Sequence, residues 1–208
     1  TKSTGQRWNH YAVLEADYTS VEIEVQQPVG IDVPTGGSRT LAAITGDIAS
    51  LTLTVTNCGP GTLELSGISL GGEHPGDFVV RPPVTNSLAA RSSTALTVEF
   101  AATNDGIRTA VLRMTNNDTN EGNFEINLAG RALSAEQDTD GDGLNDAAEF
   151  LLAGLGFDWQ VNQSELVATL FRNASAAGLY AASQMQAMRA TTPLLLRNPT
   201  NGMFTLTI

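Results

Sequence analysis

The sequence predicts a mainly β protein, an antiparallel β-sandwich followed by a small helical unit. Three observations carry this expectation. From about residue 20 to residue 131, apolar and polar residues alternate with a period of two, as in sheets with one dry and one wet face. Charge is sparse, 16% of residues, while Gly, Thr, Asn and Ser are plentiful, which suits turns and outer strand faces. After Arg131 the apolar spacing lengthens to that of helices. A chain of 208 residues has room for one or two domains, and 41% hydrophobic content supplies a core.

The strands can be placed one by one. "VEIEVQ" sets Val21, Ile23 and Val25 on one face and Glu22 and Glu24 on the other. "SLTLTVTN" buries Leu51, Leu53 and Val55 and turns Thr52, Thr54 and Thr56 to water. "STALTVEF" offers Leu96, Val98 and Phe100; "RTAVLRMTN" offers Ala110, Leu112 and Met114; "NFEINLAG" offers Phe124, Ile126 and Leu128. The stretches "NCGPGT", "LGGEHPGD" and "NNDTNEGN" between these runs read as turns. About seven short strands at this spacing form a sandwich.

Past the strands, "DAAEFLLAGLGF" places Ala147, Phe150, Leu151 and Leu155 on one helical face. "NQSELVATLFRNASAAG" brings Leu166, Leu170 and Phe171 together, with Ser164 as a candidate cap, and "YAASQMQAMRA" is a third short helix. "NPTNG" is a turn and "MFTLTI" a terminal strand. The expected division is residues 1–19 an N-terminal arm, 20–132 the sandwich, 133–195 a cation loop with the helical unit, and 196–208 a turn and strand. The arm carries Trp8, Tyr11 and Tyr18, which either pack back on the chain or dock on a neighbour.

Eleven basic residues face twenty-two acidic ones, a net charge of −11 with His neutral. Such a chain repels nucleic-acid phosphates and anionic lipid and attracts cations. No apolar run reaches the roughly 18 residues of a membrane-spanning helix, so no membrane insertion is expected. Cys58 is the only cysteine, which excludes an internal disulfide. The chain begins at Thr1, as expected of a processed mature chain or an excerpt whose secretion signal is gone.

The acidic charge is concentrated in "DTDGDGLNDAAE", residues 138–149. Counted from Asp138, acidic side chains fall at the first, third, fifth, ninth and twelfth places: Asp138, Asp140, Asp142, Asp146 and Glu149. Gly143 stands sixth, where the chain turns sharply, and Leu144 seventh, where only a backbone carbonyl is required. This is the spacing of a twelve-residue calcium loop, which wraps a hard cation with oxygens from alternate residues. Asp138, Asp140, Asp142, Leu144, Asp146 and Glu149 are therefore the candidate Ca2+ ligands, Asp146 directly or through water. The segment before the loop, "INLAGRALSAEQ", is a strand end and a connector rather than a helix. The loop thus resembles the single calcium loops of dockerins and thrombospondin-type repeats, and a paired helix-opening sensor is not expected.

The stretches "LTLTVTNCGPGTLELSGISL", "FVVRPP" and "SLAARSSTALTVEFAATNDGIRTAVLRMTNNDTNEGNFEINLAGRA" resemble the immunoglobulin-like repeat called a choice-of-anchor D domain. The resemblance implies an immunoglobulin-like sandwich and a secreted or cell-surface bacterial protein, and it implies no catalytic activity. Nor do the residues supply an enzyme signature. The histidines are His10, in the arm, and His74, in a turn, and Cys58 has no evident base beside it. The expected function is that of a non-enzymatic, calcium-binding extracellular structural or adhesion protein, whose partners are copies of itself or other surface proteins. In a sharper form, copies join into a fibre by strand exchange. The alternative is an accessory carbohydrate- or ligand-binding module of a larger secreted protein.

Overall fold

The computed structural model describes residues 20–176, 194–197 and 204–207. Nine strands build the sandwich. One sheet holds β1 (Ile23–Gln26), β3 (Ala49–Asn57), β7 (Ser93–Phe100) and β5 (Phe78–Arg81), in the order β1-β3-β7-β5. The other holds β2 (Gly37–Ile44), β9 (Asn123–Leu133), β8 (Gly106–Asn116), β4 (Leu63–Gly71) and β6 (Ser87–Leu88), in the order β2-β9-β8-β4-β6. These orders correspond to the two sheets of an immunoglobulin-like domain, with an extra strand beside the last one.

Alternation decides which residues meet inside. Leu53 stands opposite Leu96 across β3 and β7, and Leu112 opposite Ile126 across β8 and β9. All four are buried, as are Val55, Val98, Phe100, Met114 and Phe124. Two buried asparagines close the strand ends. Asn57 donates to the carbonyls of Gly61 and Leu88 and accepts from the Gly59 N–H, so its amide is satisfied while it shapes the Gly-Pro-Gly turn.

One pairing departs from the antiparallel expectation: β2 runs parallel to β9, from Gly37 beside Ile126 to Ile44 beside Leu133. The chain leaves β1 in the first sheet, reverses around Pro28 to Ile31, and crosses to the second sheet heading the same way as β9. On β9, Gly130 lies under the Phe100 ring. A Cβ added there would stand 2.2 Å from Phe100 Cε2.

The helical unit has its own small core. Leu144, Ala148, Leu152, Phe157 and Val167 cluster together, with Leu166, Leu170 and Phe171 packed against them. It contains α1 (Asp146–Leu151) and α2 (Ser164–Ala176), and Ser164 is the first residue of α2. The inner face of α1 differs from expectation. Ala147 is buried, but Phe150, Leu151 and Leu155 are 37%, 44% and 52% exposed, and Ala148, Glu149 and Leu152 turn inward instead. The helix is only six residues long, and the acidic loop at its start fixes which side faces in. A tight turn over Ala153–Leu155 and the left-handed Gly156 (φ 93°) then bring Phe157 back onto the core. The expected terminal strand is β11 (Phe204–Thr207), antiparallel to β10 (Leu194–Arg197). The arm and the expected third helix lie outside the described residues.

Gly130→Ala is expected to cost about 1–3 kcal/mol, because β9 and the buried Phe100 ring cannot both keep their places. A denaturant midpoint equal to the wild type would show that strand and ring do not meet as described.

Candidate metal centre

The loop is shaped by its own carboxylates. Asp138 accepts the N–H groups of Gly141 (2.8 Å) and Gly143 (2.9 Å), Asp140 that of Asp142 (3.1 Å), and Asp142 that of Leu144 (2.9 Å). Such short-range bonds let aspartates hold turns that glycine-free sequence would resist, and Gly141 and Gly143 take the left-handed conformation (φ 74° and 95°) that the turns need. Two further bonds tie the loop to the second helix. Asp142 Oδ2 accepts the Gln163 N–H at 3.0 Å, placing a negative charge at the start of α2, and Asn162 Nδ2 donates to the Asp140 carbonyl at 3.1 Å.

The outcome is a convergence of acceptors. Asp138, Asp140 and Asp142 each present a carboxylate oxygen, and these lie within 4.8 Å of one another. Glu149, one turn into α1, is 0% exposed. Both its oxygens are buried without a hydrogen-bond donor, and so is Asp140 Oδ2. Burial, then the negative charges of Asp142, Asp140, Asp138 and Asp146, push the Glu149 carboxyl up to about 8. Burial also raises Asp140. A carboxylate kept dry among four others is costly unless a proton or a cation joins it. These donorless oxygens, with the adjacent trio, fit a hard cation, and among the described residues the close group consists of carboxylates.

The six residues expected from the spacing do not play one role. Asp138, Asp140 and Asp142 form the trio, and Glu149 stands buried beside them. Leu144 sends its side chain into the small core, 4% exposed. Asp146 is also 0% exposed, but its oxygens are engaged: Oδ1 accepts the Thr139 N–H at 2.7 Å and Oδ2 the Thr139 hydroxyl at 2.6 Å. Arg131 Nη2 lies 3.5 Å from the same Oδ2 and donates to Thr139 Oγ1 at 2.9 Å. Sequence reasoning passed over Arg131. The signal was there, since it is the sole basic residue between Arg113 and Arg172.

Other titratable groups have structural partners. Glu22, Asp118 and Glu121 form a second close acidic trio. The buried Asp118, however, accepts from the backbone of Ile23, Asn120 and Glu121, and among the described residues this trio has no buried oxygen without a donor. His74 Nδ1 accepts the Thr109 N–H at 3.3 Å, and the Cys58 thiol lies 3.2 Å from Glu24, its pKa raised chiefly by burial.

The fold and site thus define an immunoglobulin-like β-sandwich carrying an acidic loop that can hold a metal ion. No protein-family model matches the chain, and no curated protein matches it. Among solved structures it is similar to a Porphyromonas gingivalis W83 protein of unknown function (12% identity, TM-score 0.44), over 56% of this chain and 49% of that one. It is also similar to a PapD-like domain of human CEP192 (14%, TM-score 0.41), over 64% of this chain and all of that domain. A third is the CARDB domain of the Pyrococcus furiosus PF1109 protein in complex with di-metal ions (14%, TM-score 0.34; 62% and 100% covered). At these low scores the immunoglobulin-like assignment rests on this chain's own strand order and pairing.

The raised Glu149 carboxyl makes a prediction for the cation-free chain. Its pKa is 4.5 in the ordinary state and about 8 here, so the folded chain takes up a proton that the unfolded chain releases across that window. The stability from protonation is complete below the lower value and is lost as pH rises through the upper one. In chelator, the melting temperature should therefore fall from about pH 5 to about pH 9, and Glu149→Gln should flatten the fall. A melting temperature that rises over this range contradicts the site.

Proposed function

We propose that the chain is a non-enzymatic, calcium-binding structural module of an extracellular or cell-surface protein. On this reading, an ion held by residues 138–149 fixes the helical unit against the sandwich. The observation that carries it is the set of three buried carboxylate oxygens without donors, on Asp140 and Glu149, beside the Asp138–Asp140–Asp142 trio.

Calcium is the cation of choice on chemical grounds. It takes six to eight oxygens in flexible geometry, and Asp138, Asp140, Asp142 and Glu149 would supply carboxylates with Leu144 adding its carbonyl. Magnesium demands a tighter octahedron and keeps its waters, which suits a wrapping loop less well. The bound ion supplies positive charge. The residues do the rest: the aspartates hold the turn, Glu149 closes it from α1, and Asp142 ties it to α2.

An extracellular setting is supported by two considerations. Isolated loops of this kind suit millimolar calcium, and the strands of the sandwich resemble choice-of-anchor D domains of secreted proteins. A module of this build would act as a spacer or adhesive element, with copies of itself or other surface proteins as partners.

Titration calorimetry and thermal unfolding test the reading together. Calcium at a hundredfold excess over its dissociation constant should stabilise the chain by about 2.7 kcal/mol, and Glu149→Gln should remove most of the gain. No heat of calcium binding, with a melting curve that chelator leaves unchanged, would sink it.

A further inference from the structure

The two apolar cores share no residue: one fills the sandwich, the other the helical unit. Between them lie the buried Leu133 and Ala147, two main-chain bonds from Asp146 and Ala147 to the carbonyls of Gln137 and Ser134, and one charged side chain. Arg131 stands on β9, an interior strand, beside Ile107 of β8 and Ala42 of the edge strand β2. Its neighbours Gly130 and Ala132 belong to the buried face, so the guanidinium is carried on the outer one. There it donates to Thr139, pairs with Asp146 and lies 5.3 Å from the centre of the Trp159 ring. Thr139 sits between Asp138 and Asp140, and Asp146 opens α1 three residues before Glu149. One arginine of the sandwich therefore grips the acidic loop both inside its first turn and at its exit.

Energetics give the grip its weight. The Asp146 side chain is 0% exposed and that of Arg131 24%, so the pair is shielded from solvent. Removing the arginine would leave the buried Asp146 carboxylate, which also feels the charge of Glu149, with only the Thr139 donors for company. Among the described residues it is also the only ion pair made by any of the five acidic groups.

We propose that Arg131 is a positioning residue for the cation loop: it commits the ninth-place carboxylate, Asp146, to the sandwich, and so couples occupancy of the loop to the stability of β9 and its neighbours. The inference rests on the calcium reading above. It makes Asp146 a latch, leaving Asp138, Asp140, Asp142, Glu149 and the Leu144 carbonyl to meet the ion. Coupling of this kind is reciprocal: whatever steadies the strand tightens the loop, and the converse.

The test uses the full chain, with calcium as the probe. Calorimetry measures affinity, and amide hydrogen exchange with and without calcium reports how far protection spreads. In the wild type, calcium should slow exchange in the loop, in α1 and also in β9 and β2. Arg131→Ala should weaken calcium binding about tenfold and confine the protection to residues 138–167. Arg131→Lys, which keeps the charge and much of the packing, should recover part of both effects and guards against a misfolded alanine variant. Protection that stops at the loop in the wild type, or that reaches β9 undiminished in Arg131→Ala, overturns the proposal. If the wild type binds no calcium, the cation reading falls and the latch is judged separately. In chelator, non-additive melting-temperature losses for Arg131→Ala and Asp146→Asn support it, and additive losses overturn it.

Discussion

Five carboxylates within twelve residues, two of them wholly enclosed, form the constraint that organises the second half of this molecule. Like charges at such spacing repel, and the repulsion grows as water is excluded. The chain meets the problem in three ways. Backbone N–H groups of the loop itself turn toward Asp138, Asp140 and Asp142. A threonine and an arginine take up Asp146. Glu149 and one oxygen of Asp140 receive neither, and their unmet demand distinguishes this loop, which could hold a metal ion, from an ordinary solvated turn.

The two halves are stabilised by different physics. The sandwich rests on buried Leu, Val, Ile and Phe drawn from both sheets, an interior that needs no ion. Among the described residues, the helical unit has a small apolar cluster around Leu144 and Val167. Its loop is joined by main-chain bonds to the connector after β9, Ala147 N–H meeting the Ser134 carbonyl and Asp146 N–H that of Gln137, and to β9 itself by one charged contact, Arg131 reaching Thr139 and Asp146.

Much of this was legible before any coordinates. The strands of β3, β7, β8 and β9 could be read because each has one dry face, and strict alternation is hard to mistake. Strand β2 carries a weaker signal, since "GSRTLAAI" opens with polar residues and lies at a sheet edge where only its second half is buried. The face of α1 was misjudged for a related reason. Hydrophobicity favoured Phe150, Leu151 and Leu155 as inward residues, whereas the loop geometry commits that space to Glu149 and Ala148. The acidic spacing pointed to the right neighbourhood but could not divide the labour within it. That Asp146 also pairs with Arg131 depends on a strand residue outside the motif, which the loop spacing does not encode.

The parallel seam between β2 and β9 bears on how the protein is made. The strand beside which β2 must lie is the last of the sandwich to leave the ribosome, with nearly the whole domain emerging in between. Closure of that sheet is therefore a late, long-range event, slow in the way that distant β pairings are slow. The acidic segment begins soon after β9 ends at Leu133, so by the time the nascent chain can complete that strand, Thr139 and Asp146, which meet Arg131 on it, are among the next residues to appear.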